Sequence, residues 1–223
     1  MGAFDELEVV PRRTMTLIFV VDTSGSMDGE KIASLNQAVE EVIPFIQQLS
    51  ATNADAQIKI AALEFSSGTE WMFNEPQEAE NFSWRELEPG GLTSLGEACK
   101  ELNDKLSVTH GFMKEATGSY APAIILLSDG EPTDNYKHNL DKLKQNKWFQ
   151  AAVKVAIAIG NDANQDVLAE FTGNKEAVLT VHNKEQLQKI YEKLYEEKVV
   201  EYIRSKVKVT EKAISAEEFA KIA

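Results

Sequence analysis

Apolar residues along the chain follow two alternating rhythms. The run Met15-Thr16-Leu17-Ile18-Phe19-Val20-Val21 is short and almost wholly apolar, the pattern of a strand buried on both faces. It stops at Asp22-Thr23-Ser24-Gly25-Ser26-Met27-Asp28-Gly29, a cluster of turn-forming residues. Ile32, Leu35, Val39, Val42, Ile43, Ile46 and Leu49 then recur at intervals of three and four, which predicts an amphipathic helix. Pro44 falls inside this pattern and is expected to kink or divide the helix.

The alternation repeats. Further strands are predicted at Ile58–Phe65, at Glu70–Asn74, at Ala123–Ser128, at Ala152–Ile159 and at Ala177–Thr180. Ser94 and Glu97 resemble a capping box that opens a helix with Leu95, Cys99, Leu102 and Leu106 on one face. Helical stretches are also expected around 139–147, 165–171 and 184–198. Strand, turn and helix in regular succession predict right-handed crossovers and an open, mostly parallel α/β sheet covered by helices. No internal repeat or low-complexity linker interrupts it. Beyond residue 198 the charge is mixed, Val207-Lys208-Val209-Thr210 alternates weakly, and the last residues are compatible with a short helix.

Composition narrows the class. A chain of 223 residues is long enough for one domain with a real core. Its 43% hydrophobic and 26% charged residues exclude a wholly disordered or fibrous protein. With 23 basic and 36 acidic side chains the net charge is −13, which argues against broad binding to nucleic-acid phosphates. No apolar run reaches the roughly 18–20 residues that span a bilayer, and the start of the chain is acidic where a signal peptide is basic. The expectation is therefore a cytoplasmic protein that binds neither membrane nor nucleic acid. The single cysteine, Cys99, excludes an internal disulfide and a multi-cysteine zinc site, and its place on an apolar helix face predicts a packed thiol. His110, His138 and His182 have no catalytic neighbours in sequence and read as surface or loop residues.

Ligands of open α/β sheets bind beyond the carboxyl ends of the strands. Two buried strands end there in an aspartate, Asp22 and Asp129. The first is followed by hydroxyls at alternate positions, Ser24 and Ser26, and Thr93 precedes a predicted helix. If these loops converge, five oxygen side chains meet without nitrogen or sulfur, a donor set suited to Mg²⁺ (or Mn²⁺ or Ca²⁺) rather than zinc or copper. Two carboxylates balance a divalent charge, and the neutral hydroxyls leave the ion able to take a glutamate or aspartate from a protein partner.

Asp22-Thr23-Ser24-Gly25-Ser26 resembles the D-x-S-x-S signature of von Willebrand factor type A domains. Thr93 and Asp129 fall where that family has its isolated threonine and second aspartate. The resemblance runs over about 14–198, leaving 1–13 and 199–223 as extensions. It implies a Rossmann-like fold whose six-stranded sheet has one short antiparallel edge strand, with Glu70–Asn74 the candidate. It also implies a metal-ion-dependent adhesion site (MIDAS) in which Ser24, Ser26 and Thr93 touch the ion, with Asp22 and Asp129 direct or one water away. Such a domain is a binding module and not an enzyme. Gly130-Glu131-Pro132-Thr133-Asp134 further resembles bacterial members of the TerY type, which implies tellurite-resistance or stress-response operons with kinase-like or phosphatase-like partners.

Other readings compete. Asp22, Ser24, Ser26 and Thr93 could be ordinary helix caps, Asp129-Gly130 an ordinary turn, and Asp134 the N-cap of the helix after it. A Mg²⁺-dependent phosphatase or phosphotransferase also places an aspartate after the first strand. The haloacid-dehalogenase type needs a second aspartate two positions on, where this chain has Ser24, and no phosphate-binding G-x-x-x-x-G-K-S/T loop is present. A scaffold with a purely structural metal is the third reading. Trp71, Phe73, Phe82 and Trp84 lie among glutamates; edge-strand packing is preferred there over a partner-binding patch.

Overall fold

The structure is a computed structural model that describes residues 12–181, 185–186 and 189–190. Among the described residues seven strands form one sheet: β1 (Arg13–Asp22), β2 (Ala56–Phe65), β3 (Thr69–Trp71), β4 (Gln77–Glu78), β5 (Ala123–Ser128), β6 (Val153–Ile159) and β7 (Val178–Val181). Their order is β3-β2-β1-β5-β6-β7, with β4 also on β2. The pairs β2-β1, β1-β5, β5-β6 and β6-β7 are parallel, and both β3 and β4 run antiparallel to β2.

Six strands were expected, and the seventh is β4. Its two residues, Gln77 and Glu78, are polar and carry no periodic signal; their pairing with Lys59 and Ile60 depends on how the β3 hairpin returns along β2. The expected edge strand starts one residue early and is shorter, at Thr69–Trp71.

Among the described residues the sheet is covered by α1 (Glu30–Thr52), α2 (Leu95–Lys105), α3 (Tyr136–Lys144), α4 (Lys147–Ala151) and α5 (Gln165–Thr172), and residues 185–186 and 189–190 are also helical. Alternate strand residues face opposite sides. Leu17, Phe19 and Val21 pack with Leu35, Val39 and Ile46 of α1. Ile18 and Val20 pack instead with Cys99, Leu102, Leu140, Leu168 and Phe171. The near-continuous apolar runs of β1 and β5 follow from this double coverage.

Pro44 does not divide α1, which is continuous across it. Pro44 and Glu40 are both exposed, so water can reach the Glu40 carbonyl that proline leaves without a helical donor. The stretch expected as one helix over 139–147 is two. Asn146 caps α4, accepting from the N–H of Trp148 at 2.9 Å and of Phe149 at 3.4 Å. Apart from residues 185–186 and 189–190, the helix expected at 184–198 lies outside the described residues, as do His182, the weakly alternating segment Val207–Thr210 and the last residues of the chain.

The aromatic segment is packing, as preferred. Trp71 meets Phe112 edge-on at 4.9 Å and donates to Glu101 at 2.8 Å, and Phe73 meets Phe82 at 5.6 Å. Trp84 lies edge-on to buried Phe19 at 6.1 Å. Among the described residues no helix is long and apolar enough to cross a membrane.

Candidate metal centre

Strand order reverses at β1. The chain leaves it through α1 to β2 on one side, and β5 lies on the other, so a crevice opens beyond the carboxyl ends of β1 and β5. Val21 is paired with Leu127, which sets Asp22 level with Ser128 and puts Asp129 one step beyond.

Asp22 is fully buried. One carboxylate oxygen accepts the Ser24 N–H at 2.9 Å, and the other accepts the Ser128 hydroxyl at 2.5 Å. Ser128 Oγ in turn accepts the Gly130 N–H at 2.7 Å. Burial raises the Asp22 pKa against the lowering effect of the Ser128 and Ser24 hydrogen bonds, and the charge of Asp129 adds to the rise. A 3-10 turn over Gly25–Met27 follows, anchored by buried Met27. It brings Ser24 Oγ and Ser26 Oγ to 3.1 Å, the first buried and the second open to solvent.

Thr93 reaches this place through a chain of contacts from α1. Asn36 is buried; its amide donates to the Leu87 carbonyl at 2.8 Å, and its oxygen accepts the Leu87 N–H at 2.9 Å and Trp84 Nε1 at 3.0 Å. That clamp fixes the approach to the loop over 88–94. The loop is then stitched to the first by Gly90 N–H to Thr23 O at 2.7 Å and Gly25 N–H to Gly91 O at 3.1 Å. Gly91 has φ of +78°, and a Cβ there would stand 2.5 Å from Ser67 Oγ, so glycine is required.

Asp129 comes with a third loop. Thr133 donates its N–H to Thr93 O at 2.9 Å and accepts the Thr93 N–H on its hydroxyl at 3.0 Å. The Asp129 carbonyl accepts the Asn164 N–H at 2.7 Å. Oδ2 of Asp129 lies 3.3 Å from the Lys31 ammonium, which is also 3.2 Å from Asp162 Oδ1. Partial burial pulls the Lys31 pKa down, but the Asp162 and Asp129 carboxylates outweigh it and hold the ammonium above the usual lysine value. Oδ1 of Asp129 is buried and has no hydrogen-bond partner.

Asp22, Ser24, Ser26, Thr93 and Asp129 thus stand on three loops laced together at one end of the sheet. The donor set fits a hard divalent cation. It contains only oxygen, and among the described residues no group of three or more His, Cys, Asp or Glu side chains forms an alternative site. A buried carboxylate oxygen with nothing to accept is costly, and an ion on Oδ1 would remove that cost.

Two expectations near the site are corrected. The Ser94 side chain makes no cap bond, so the capping box is not formed. Asp134 caps α2 rather than the helix after it, accepting the Gly96 N–H on both oxygens. Sequence reading also passed over Lys31, Asn36, Ser128 and Thr133 as parts of the site. Only Asn36 carried a signal, as a polar residue on the otherwise apolar face that includes Ile32, Val39 and Ile43.

A doubly wound α/β sheet with hydroxyls and carboxylates gathered at its switch point defines a class of ligand-binding domain. The chain belongs to the von Willebrand factor type A domain family, whose profile matches residues 16–193. Domains of this family mediate protein–protein interactions. The collagen alpha-5(VI) chain of Mus musculus is 27% identical over 188 residues, covering 82% of this chain and 7% of that one. Proximal thread matrix protein 1 from the mussel byssus, solved with a zinc-occupied MIDAS motif, superposes with a TM-score of 0.61 at 20% identity, over 81% of this chain and 47% of that one. A von Willebrand factor type A structure from Catenulispora acidiphila gives 0.60 at 15% identity, over 82% and 42%. The chain spans less than half the length of these structures and a small fraction of the collagen chain, and at such identities the structures share its fold.

Proposed function

We propose that this chain is a metal-dependent protein-interaction domain. Asp22, Ser24, Ser26, Thr93 and Asp129 hold a divalent cation, and a glutamate or aspartate of a partner protein completes its coordination. The bound ion supplies a positive charge for that carboxylate; no covalent step is involved. Hard oxygen donors favour Mg²⁺, with Mn²⁺ and Ca²⁺ as substitutes, and the zinc seen in the mussel protein is a further candidate to compare.

The observation that carries the reading is Asp129 Oδ1, a buried carboxylate oxygen without a hydrogen-bond partner. The state of Asp22 speaks against the phosphatase alternative. It is fully buried and both its oxygens accept hydrogen bonds, so it offers no exposed nucleophile. In its narrower form the reading is a cytoplasmic component of a bacterial, TerY-like stress-response complex with kinase-like or phosphatase-like partners. Its support is the Gly130–Asp134 loop, whose Thr133 and Asp134 brace Thr93 and α2.

The test is calorimetry with Mg²⁺ and Mn²⁺ on wild type and Asp22→Ala, followed by capture of partners with and without EDTA. Saturable binding lost in the variant, with capture sensitive to chelator, is the expected result. Capture indifferent to both EDTA and Ser24→Ala returns the chain to the scaffold reading.

A further inference from the structure

Lys31 is an unusual neighbour for a cation site. It occupies the second position of α1, and its ammonium bridges Asp129 Oδ2 at 3.3 Å and Asp162 Oδ1 at 3.2 Å. The two acceptors differ sharply in surroundings: the Asp129 side chain is 3% exposed, that of Asp162 75%. Gly160 makes room for the lysine. It has φ of +95°, and a Cβ there would stand 2.9 Å from Lys31 Cε and 3.4 Å from Nζ. The same Cβ would stand 2.7 Å from Asp162 Oδ1, so the lysine end and its exposed acceptor both lie against this glycine in the loop after β6. Lys31 and Asp162 also line an open cavity of about 600 Å³ with Glu30, Gln37, Gly160 and Val181.

We propose that Lys31 is a tethered counter-cation of the metal centre, competing with the divalent ion for Asp129 and resting on Asp162 alone when the ion is bound. This rests on the metal-binding reading above and adds a regulator to it. The argument is electrostatic. A unit positive charge this close to a buried carboxylate already neutralises it, so a second cation on the same group meets like-charge repulsion that burial leaves poorly screened. The ammonium has somewhere to go, since Asp162 already shares it and the adjoining cavity leaves space for the stem. Lys31 is therefore a positioning residue. It sets how tightly the centre holds its ion.

Calorimetric titration of the full chain with Mg²⁺, repeated with Mn²⁺, separates this from the parent reading. Lys31→Met is expected to tighten binding about tenfold, a difference of about 1.4 kcal/mol. Asp162→Asn is expected to weaken it severalfold in the presence of Lys31, because the ammonium then has only Asp129. In a Lys31→Met background the Asp162→Asn change is expected to fall below about twofold, the double-mutant signature of coupling through the lysine. Lys31→Gln provides a polar replacement should the methionine variant fold poorly, and Ser24→Ala reports on the centre itself. If wild type binds the ions, Ser24→Ala does not, and neither Lys31 variant binds more tightly, the counter-cation role is overturned and the centre stands. If wild type fails to bind but Lys31→Met does, the competition is supported in its strongest form. If no variant binds either ion, the metal centre and the role of Lys31 fall together.

Discussion

Asp134 caps a helix to which it does not belong. Its two oxygens accept the Gly96 N–H at 2.9 and 3.2 Å, across 38 positions of sequence, and so satisfy a free donor in the first turn of α2. With the Thr93–Thr133 pair this joins the loop after β5 to the loop before α2. Asp134→Ala is expected to cost about 1 kcal/mol in urea denaturation, as losses of helix caps do. It is also expected to weaken Mg²⁺ binding by loosening Thr93. Gly96→Ala should act alike, since its Cβ would meet Asp134 Oδ2 at 2.7 Å and Tyr136 Cα at 2.8 Å.

Asn36 is expected to matter more for stability than any surface residue of α1. Asn36→Leu strips the partners from the Trp84 indole, the Leu87 N–H and the Leu87 carbonyl, two of them buried contacts. Groups left in that state cost about 1–3 kcal/mol each, so a loss of about 3 kcal/mol is expected after local relaxation. Chemical denaturation followed by tryptophan fluorescence measures it, and an unchanged midpoint would show that the clamp contributes little.

Cys99 is 1% exposed on the inner face of α2, and burial pushes its thiol up to about 12, with the Asp134 charge adding to the rise. At pH 8 such a thiol is ionised to about one part in ten thousand, and it is the thiolate that reacts. The native protein is expected to resist a thiol-disulfide reagent for as long as it stays folded, and to release one equivalent in denaturant. Rapid labelling of the folded chain would contradict the packing of α2.

Metal loading should appear as stability. An ion that binds only the folded chain stabilises it by about 2.7 kcal/mol at a hundred times its Kd. For a domain of this size that corresponds to a rise in Tm of roughly 5–10 °C on adding Mg²⁺. EDTA should reverse it, and Thr93→Ala should remove most of it. A Tm indifferent to Mg²⁺ in wild type would count against the centre.

Much of the architecture was legible because its signals are local. The apolar runs of β1, β5 and β6 and the three-and-four spacing of α1 record burial residue by residue, and parallel topology follows from their alternation with helices. β4 was invisible because two polar residues carry no period. Ser94 and Glu97 had the spacing of a capping box, yet the Glu97 N–H bonds to the Ser94 carbonyl at 3.1 Å, and the neighbouring Gly96 N–H is met by Asp134, delivered from another loop.

The same division holds at the site. From sequence alone came the candidate ligands, Asp22, Ser24, Ser26, Thr93 and Asp129, because their types and order announce an oxygen-rich cluster. Only the tertiary structure decided what surrounds them: Ser128 on Asp22, Thr133 on Thr93, Asn36 behind the connecting segment and Lys31 on Asp129. These contacts join residues 40 to 106 positions apart, and hydrogen bonds and charges depend on distance in space. No periodicity along the chain encodes that distance; it exists only once the sheet has set its register.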